Sequence, residues 1–450
     1  MSKELLGKAK DVLGIARKHG AKDASASVYR SRSSVVEWRD GKLDRIKENT
    51  RFGLSLTLYV DGRYSSHGTS DLRPEALDRF VRETIAMTRH LAPDPHRKLP
   101  DPARCRGAFK GDLKIYDAPG VAAADPVARR RAAKALEDAA RSAEGAKEIV
   151  SATGISGESA SEEAMAATGG MEGERRTSSF SQVAVVSVRD KGARKPTGFW
   201  YCADRRRGGL GPIEAVGREA TRRALEQRGA APEPSGQYPC IIENAVAGQL
   251  FSWLLAPLGG SAIQQQRSFL ADRLGQAVAS EHLTVRDDPH LVGGFGSATY
   301  DGEGMATRPR DLFERGVLRT FYLDTYYASK LGKEPTTASP TNLVFDPGPR
   351  DLRGLCAAMG KGILITGFSG GNSNSASGNF SIGIRGHWVE GGRPVRPVAE
   401  MNLAGNHLQL WKALVELGSD PFPFSSTRIP SLRFDPVQFS GMDSKAPAGA

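Results

Sequence analysis

The chain is short of the side chains from which most hydrolytic and redox sites are assembled. Its four cysteines, Cys105, Cys202, Cys240 and Cys356, are far apart and form no C-x-x-C pair. That excludes a local thiolate zinc site and a disulfide framework, and it fits a reducing cytoplasm. Of the eight histidines (19, 67, 90, 96, 282, 290, 387 and 407), no two are three, four or five residues apart. A helical zinc-peptidase site needs two histidines about one turn apart on one face, with a glutamate between them as general base. No segment supplies that pattern, and only distant residues could assemble a metal site. There is no P-loop, and no G-x-G-x-x-G follows a strand to open a helix. Ser369 in G-F-S-G-G resembles a nucleophile elbow only superficially, because a polar loop follows it rather than a helix. No run of ~18 uninterrupted apolar residues exists, so no spanning helix is expected. The apolar residues of MSKELLGKAKDVLGIARKHG are spaced helically and broken by lysines, unlike a secretory signal.

What the chain does have is length and ordinary globular chemistry. Its 450 residues are 39% hydrophobic and 25% charged, enough for two or three domains with their own cores. The net charge of +11 raises nucleic acid as a partner. The basic residues, however, mix with acids in helical stretches such as ARRRAAKALEDAARSAEGAKE (residues 128–148), which reads as a solvated face. Aromatic residues interleaved with basic ones, as nucleobase stacking requires, are not evident.

Punctuation divides the chain into units at residues 1–92, 105–229 and 237–442. The first opens with a helix over 3–19 and continues as four short alternating runs with Asp40-Gly41 and Asp61-Gly62 between them. Asp-Gly marks a two-residue hairpin, because both central residues of that turn need positive φ. A helix over 74–91 closes the unit. Prolines 93, 95, 100 and 102 mark a linker or seam. The second unit starts a helix at Asp125-Pro126 running to about residue 146. Strands over 148–156, 177–190 and 197–204 follow, then a helix over 213–228. The third unit reads as strand-rich, with a hairpin at Arg315-Gly316, helices over 245–258, 325–331 and 407–416, and strands over 361–368, 380–390 and 395–403. The predicted class is α+β: N-terminal mixed α/β units followed by a large, mainly antiparallel β domain. Cys356 in LCAAMGKG sits on an apolar helix face and reads as core.

Within the third unit, SGGNSNSASGNFSIGIRGHWVEGGRP begins with almost no side-chain bulk and then alternates like a strand through Phe380, Ile382, Ile384, His387 and Trp388. Three segments of this unit form an ordered set: PCIIENAVAGQLFSWLLAPLGGSAI, DDPHLVGGFGSATYDGEGMATRPRDLFERGVLRTFYLDTYYASKLG and KGILITGFSGGNSNSASGNFSIGIRGHWVEGGRPVRPVAEMNLAGN. With SSVVEWRDGKLDRIKENTRFGLSLTLYVDGRYSSHGTSDL near the N-terminus, the set resembles the TldD/PmbA family, once labelled modulators of DNA gyrase. The resemblance covers nearly the whole chain.

That family pairs a TldD kind of subunit, carrying H-E-x-x-x-H on a helix and a later cysteine that together bind zinc, with a PmbA (TldE) kind that lacks them. Here the corresponding helix reads Asn244-Ala245-Val246-Ala247-Gly248-Gln249, Glu243 has no partner ligand, and GFSGGNSNSASGNFS contains no cysteine. The resemblance is therefore to the PmbA type. It implies a chain with no metal or catalytic residue of its own, zinc in a TldD-type partner subunit, and unstructured peptides as substrates. An extended peptide can be held through its backbone by an exposed strand, and small side chains let it approach. On that reasoning Gly370, Gly371, Asn372, Asn374, Ser377, Gly378 and Asn379 are candidate substrate-binding residues, with the strand from Phe380 beside them. Pairing of the chain with itself stays open. A self-sufficient peptidase with an unconventional metal site, and a nucleic-acid or gyrase-associated regulator, are the competing readings.

Overall fold

The computed structural model describes residues 2–442. The two Asp-Gly pairs make the expected turns, with Asp40 and Gly41 at φ 49° and 81° and Asp61 and Gly62 at 52° and 74°. The runs around them are longer than expected. Four predicted strands are two: β1 (Asp23–Arg39) and β2 (Lys42–Val60), with β3 (Arg63–Thr69) closing the meander. The second unit repeats the plan with β4 (Ile149–Ala167), β5 (Glu172–Val188) and β6 (Thr197–Asp204). β1 and β4 pair from Ser25↔Ala167 to Arg39↔Thr153, so the two units share one antiparallel sheet of order β3-β2-β1-β4-β5-β6.

Helices α1 (Ser2–Lys18) and α2 (Pro74–Thr88) pack on one half of this sheet. Leu5, Ala9, Val12 and Ala16, spaced at three and four residues, form the buried stripe of α1. On the other half, past the single turn α3 (Ala118–Ala122), lie α4 (Pro126–Arg141) and α5 (Ile213–Leu225). Each half is thus a helix, a three-stranded meander and a helix, a duplication too weak to see in the sequence. The packing of α4 on the sheet is at backbone distance. A Cβ at Gly154 of β4 would overlap the Ala133 carbonyl oxygen and stand 2.8 Å from the Glu137 nitrogen.

The proline-rich seam is pinned rather than slack. The Arg97 guanidinium lies 4.3 Å from the ring centre of Tyr64 and 3.4 Å from that of Tyr326, so it is sandwiched between the first and third units. The Tyr326 hydroxyl donates to Asp94 at 3.0 Å.

In the third unit, β7 (Gly236–Ile242) leads into α6 (Asn244–Leu255). A small sheet follows, from β8 (Val285–Asp287), β9 (Arg310–Glu314), β10 (Val317–Leu318) and β11 (Leu343–Phe345), with the predicted hairpin at Arg315-Gly316. The main sheet adds β12 (Gly362–Ser373), β13 (Asn379–Glu390) and β14 (Arg393–Asn406). β15 (Leu414–Leu417) and β17 (Leu432–Ser440) complete it, while β16 (Thr427–Arg428) joins the small sheet. The main sheet's order is β14-β13-β12-β7-β17-β15, and β17 also pairs with β14 through Asn402↔Ser440 and Leu403↔Phe439, which closes a barrel. α6 buries Ala247, Leu250, Phe251 and Leu254 in the barrel's core, where the Phe251 ring meets Phe345 and Trp411 edge to face at 4.9 and 5.6 Å. The helix expected over 407–416 stops at Lys412, because Leu414–Leu417 is drawn into a ladder with β17. Cys356 is core, as read. Among the described residues no helix is long and apolar enough to cross a membrane.

Candidate functional site

The seven residues singled out in the sequence all lie on the β12–β13 hairpin, but only part of the stretch is a loop. Gly370, Gly371 and Asn372 belong to β12. Ser369 faces Gly383 and Asn372 faces Ser381, so the two glycines together oppose the single residue Ile382 in a bulge. Gly370 has φ 66° and Gly371 φ 110°, and a Cβ on Gly371 would come within 2.8 Å of the Ile382 Cα. Both positions therefore call for glycine. Asn374 and Ser377 form the turn. The Asn374 side-chain oxygen accepts from Ala376 N–H at 2.9 Å and Ser377 N–H at 3.1 Å. Gly378 closes it at φ 79°, donating to the Asn374 carbonyl at 2.8 Å, and Asn379 starts β13. Ser369 continues a strand, so no elbow forms.

The sequence left open which strand an extended peptide would join. The strand from Phe380 has no free edge, since β13 is paired on both sides along its length, by β12 and by β14. The open edge belongs to β12 instead. β7 pairs with it only at Ile363, Leu364 and Ile365, because β7 ends at Ile242 and the chain turns into α6. From Thr366 to Ser373 no strand among the described residues pairs with that side of β12.

Two residues that the sequence did not single out hold the hairpin. Asn406 donates through Nδ2 to the Ser377 carbonyl and to Asn379 Oδ1, both at 2.9 Å. His407 follows it. Its Nε2 is 2.9 Å from the Ser373 hydroxyl, and its ring stacks on Phe380 (4.6 Å, 26°) and Phe269 (5.8 Å, 8°). Burial drives its pKa down to about 4. A Ser–His contact invites comparison with a nucleophile and its base. Nδ1 of His407 is buried without a partner, so no carboxylate orients the ring, and its basicity is far too low for a general base near neutrality. It is a clamp.

Beside the open edge stands α6. Its first turn carries Asn244, whose side chain donates to the Asp420 carbonyl at 2.5 Å, and its N-cap is Glu243. The Glu243 carboxylate is engaged by both Nη1 and Nη2 of Arg223, at 2.9 and 2.5 Å. Nothing from Asn244 to Gln249 can ligate zinc strongly, and the nearest carboxylate is spent on an arginine. Among the described residues no three His, Cys, Asp or Glu side chains converge as a metal site would need. The donor set of the metal-bearing pattern does not fit this chain, so no step is derived through a metal here.

Between the central unit and the barrel lies a cleft of ≈ 940 Å³, walled by Trp200 and Arg223 on one side and by Thr366, Arg385, His387 and Pro394 on the other. Arg385 and His387 are two apart on β13, on the face opposite Ile384 and Trp388. From the sequence the alternation runs through His387 together with Ile384 and Trp388; the structure puts His387 on the other face, with Arg385.

Known proteins share this architecture. Models for the first, central and C-terminal domains of the PmbA/TldA metallopeptidases match residues 24–88, 118–228 and 235–441. The chain is 27% identical over 426 residues to the metalloprotease PmbA of Escherichia coli O157:H7, covering 93% of this chain and 92% of that one. A crystal structure from Bacteroides thetaiotaomicron VPI-5482, described as a candidate modulator of a DNA gyrase, is 39% identical, with a TM-score of 0.93 over 97% of this chain and 98% of its own. TldE from Thermococcus kodakarensis, at 22% identity, has the same fold, with a TM-score of 0.86 over 96% of this chain and 100% of its own. With three successive domain models accounting for most of its length, the chain belongs to the PmbA/TldA metallopeptidase family and is of the PmbA type.

Proposed function

We propose that this chain is the non-catalytic, substrate-holding subunit of a heteromeric cytoplasmic metallopeptidase, with zinc supplied by a TldD-type partner and unstructured peptides as substrates. The observation that carries the reading is the first turn and a half of α6. The family fold is intact around it, yet residues 244–249 offer no metal ligand and Glu243 is committed to Arg223. Without ligands the chain has no means of lowering the pKa of a bound water or polarising a scissile carbonyl through a metal.

What the chain's own residues contribute is binding. The open side of β12 presents backbone N–H and C=O groups to an extended peptide, and this mode accepts many sequences because it reads the main chain. Gly370, Gly371 and Asn372 leave that edge unobstructed, and the bulge twists it. The Asn374 turn, Asn406 and His407 hold the hairpin rigid, so little ordering is left to offset binding.

The test is peptide cleavage by the pair reconstituted from this chain and a TldD-type subunit that co-purifies with it. Gly371→Val and Gly378→Val should slow turnover. Because both glycines have positive φ, Asn372→Trp is the cleaner variant: its side chain is exposed and needs no unusual backbone. Unchanged turnover in Asn372→Trp would count against substrate contact at this edge. Full activity of the partner without this chain would count against the subunit role itself.

A further inference from the structure

Arg385 poses a problem that the substrate edge does not absorb. Its stem lies directly across Gly367 of β12, so closely that a Cβ there would overlap its Nε and sit 2.7 Å from its Cγ. Gly367 does not have the positive φ that would itself call for glycine. The missing side chain at 367 is thus explained by the arginine laid over it. An arginine given such a seat usually faces a carboxylate, but none pairs with Arg385. Three of the arginines nearby are satisfied: Arg223 by Glu243 and Glu219, Arg222 by Glu219 and Glu226, and Arg396 by Glu233; Arg353 and Arg393, also in the lining, are exposed to solvent. Arg385 is also half-buried, and burial together with the neighbouring Arg223 lowers its pKa from the usual arginine value. A guanidinium held in this way is destabilised until an anion arrives.

The rest of the cleft narrows the choice of anion. A volume of ≈ 940 Å³ takes several amino-acid residues. Its walls include Phe199, Trp200 and Tyr201 of β6 and the prolines Pro394 and Pro397 of β14, apolar surfaces suited to side chains. His387 stands on the same face as Arg385, about 7 Å further along the strand. Glu226 lies near its ring, and its Nδ1 is buried without a partner. The planar fork of Arg385, half-buried where Arg353 and Arg393 are exposed, matches a carboxylate in bidentate geometry.

We propose that the cleft between the central unit and the barrel is a second peptide site, in which Arg385, seated on Gly367, grips a carboxylate of a short peptide whose apolar side chains lie against Phe199, Trp200 and Tyr201. The site adjoins the start of the open edge of β12, at Thr366 and Gly367, but it is tested on this chain alone, so its failure leaves the subunit reading standing and the converse also holds.

The experiment is calorimetric titration of the isolated full-length chain with four probes: the tripeptide Ala-Leu-Phe as free acid, the same peptide as its C-terminal amide, acetyl-Ala-Glu-Phe-amide, and inorganic phosphate. A bidentate charged contact predicts that at least one carboxylate-bearing peptide binds about tenfold or more tightly than Ala-Leu-Phe amide. Preference for the free acid assigns the contact to a peptide C-terminus, and preference for the glutamyl peptide assigns it to an acidic side chain. In Arg385→Gln that preference should vanish. In Gly367→Ser it should vanish too, although the charge is kept, because the seat is filled. Equal binding of acid, amide and glutamyl peptides, binding of phosphate alone, no binding at all, or a preference that survives Arg385→Gln in a folded protein overturns the proposal. The comparison of peptides on the unaltered chain decides it even where a variant fails to fold.

Discussion

His407 makes the β12–β13 hairpin acid-labile, and the size of the effect follows from its burial. In the unfolded chain an imidazole titrates near 6.5, whereas in the fold burial holds His407 at about 4. The folded state therefore prefers the neutral ring. Between these values the unfolded chain binds the extra proton, so stability is fully present above pH 6.5, falls as pH drops, and levels off below about 4. At ~1.4 kcal/mol per pH unit the loss across the window approaches ~3 kcal/mol. The perturbation is His407→Phe, which keeps a ring between Phe269 and Phe380 but removes the titrating nitrogens and the contact with Ser373. Losing that hydrogen bond costs ~1 kcal/mol at every pH and so shifts the profile without tilting it. Trp253 stands edge-on to the His407 ring at 6.1 Å and serves as the local reporter. Urea midpoints followed by tryptophan fluorescence at pH 7, 6, 5 and 4.5 should fall more steeply for the unaltered chain than for His407→Phe. The comparison between the two is essential, because other buried groups titrate in the same range. Parallel profiles would refute the reasoning, since they would mean that the ring is reached by water or by an acidic partner.

Two further substitutions test the energetics elsewhere. Burial, and to a smaller extent Asp301 and Asp324, raise the pKa of Glu303 to about 7 against a usual 4.5, so the carboxyl favours the fold while protonated and stability is lost as pH rises through 7. Glu303→Gln should be the more stable form above pH 7, by up to ~3 kcal/mol, with the advantage gone below pH 4.5 in a melting-temperature series. Gly154→Ala places a methyl against the Ala133 carbonyl and should lift α4 from the sheet, lowering the calorimetric midpoint by ~1–3 kcal/mol of stability or more. Gly14→Ala, with open space around it on α1, is the control and should be neutral or slightly stabilising.

Local chemistry was legible in the sequence wherever the cause was local. Asp40-Gly41, Asp61-Gly62 and Arg315-Gly316 need positive φ and became turns, and the Asn374–Gly378 turn is built from the residues whose small polar character drew attention to it. What failed depended on partners far along the chain. β1 and β2 read as four strands because their middles, around residues 30–34 and 48–51, are polar, so the apolar alternation breaks there while the backbone ladder runs on. The end of the 407–416 helix was lost to a ladder with β17, and the seam around Arg97 was fixed by tyrosines from two other units. Which strand keeps a free edge was not legible, since nothing in the sequence signals that β14 covers β13 while β7 abandons β12. Arg385 and His407 escaped notice for the same reason: what marks them is the lack of an acidic partner in space, and spacing along the chain does not show that.

The account turns on where the metal resides, and metal content measures this directly. After saturation with zinc and removal of the excess, the isolated full-length chain should retain far less than one zinc per molecule and hydrolyse no unstructured peptide. Zinc held at one per chain, with peptide hydrolysis that a chelator abolishes and zinc restores, would contradict it.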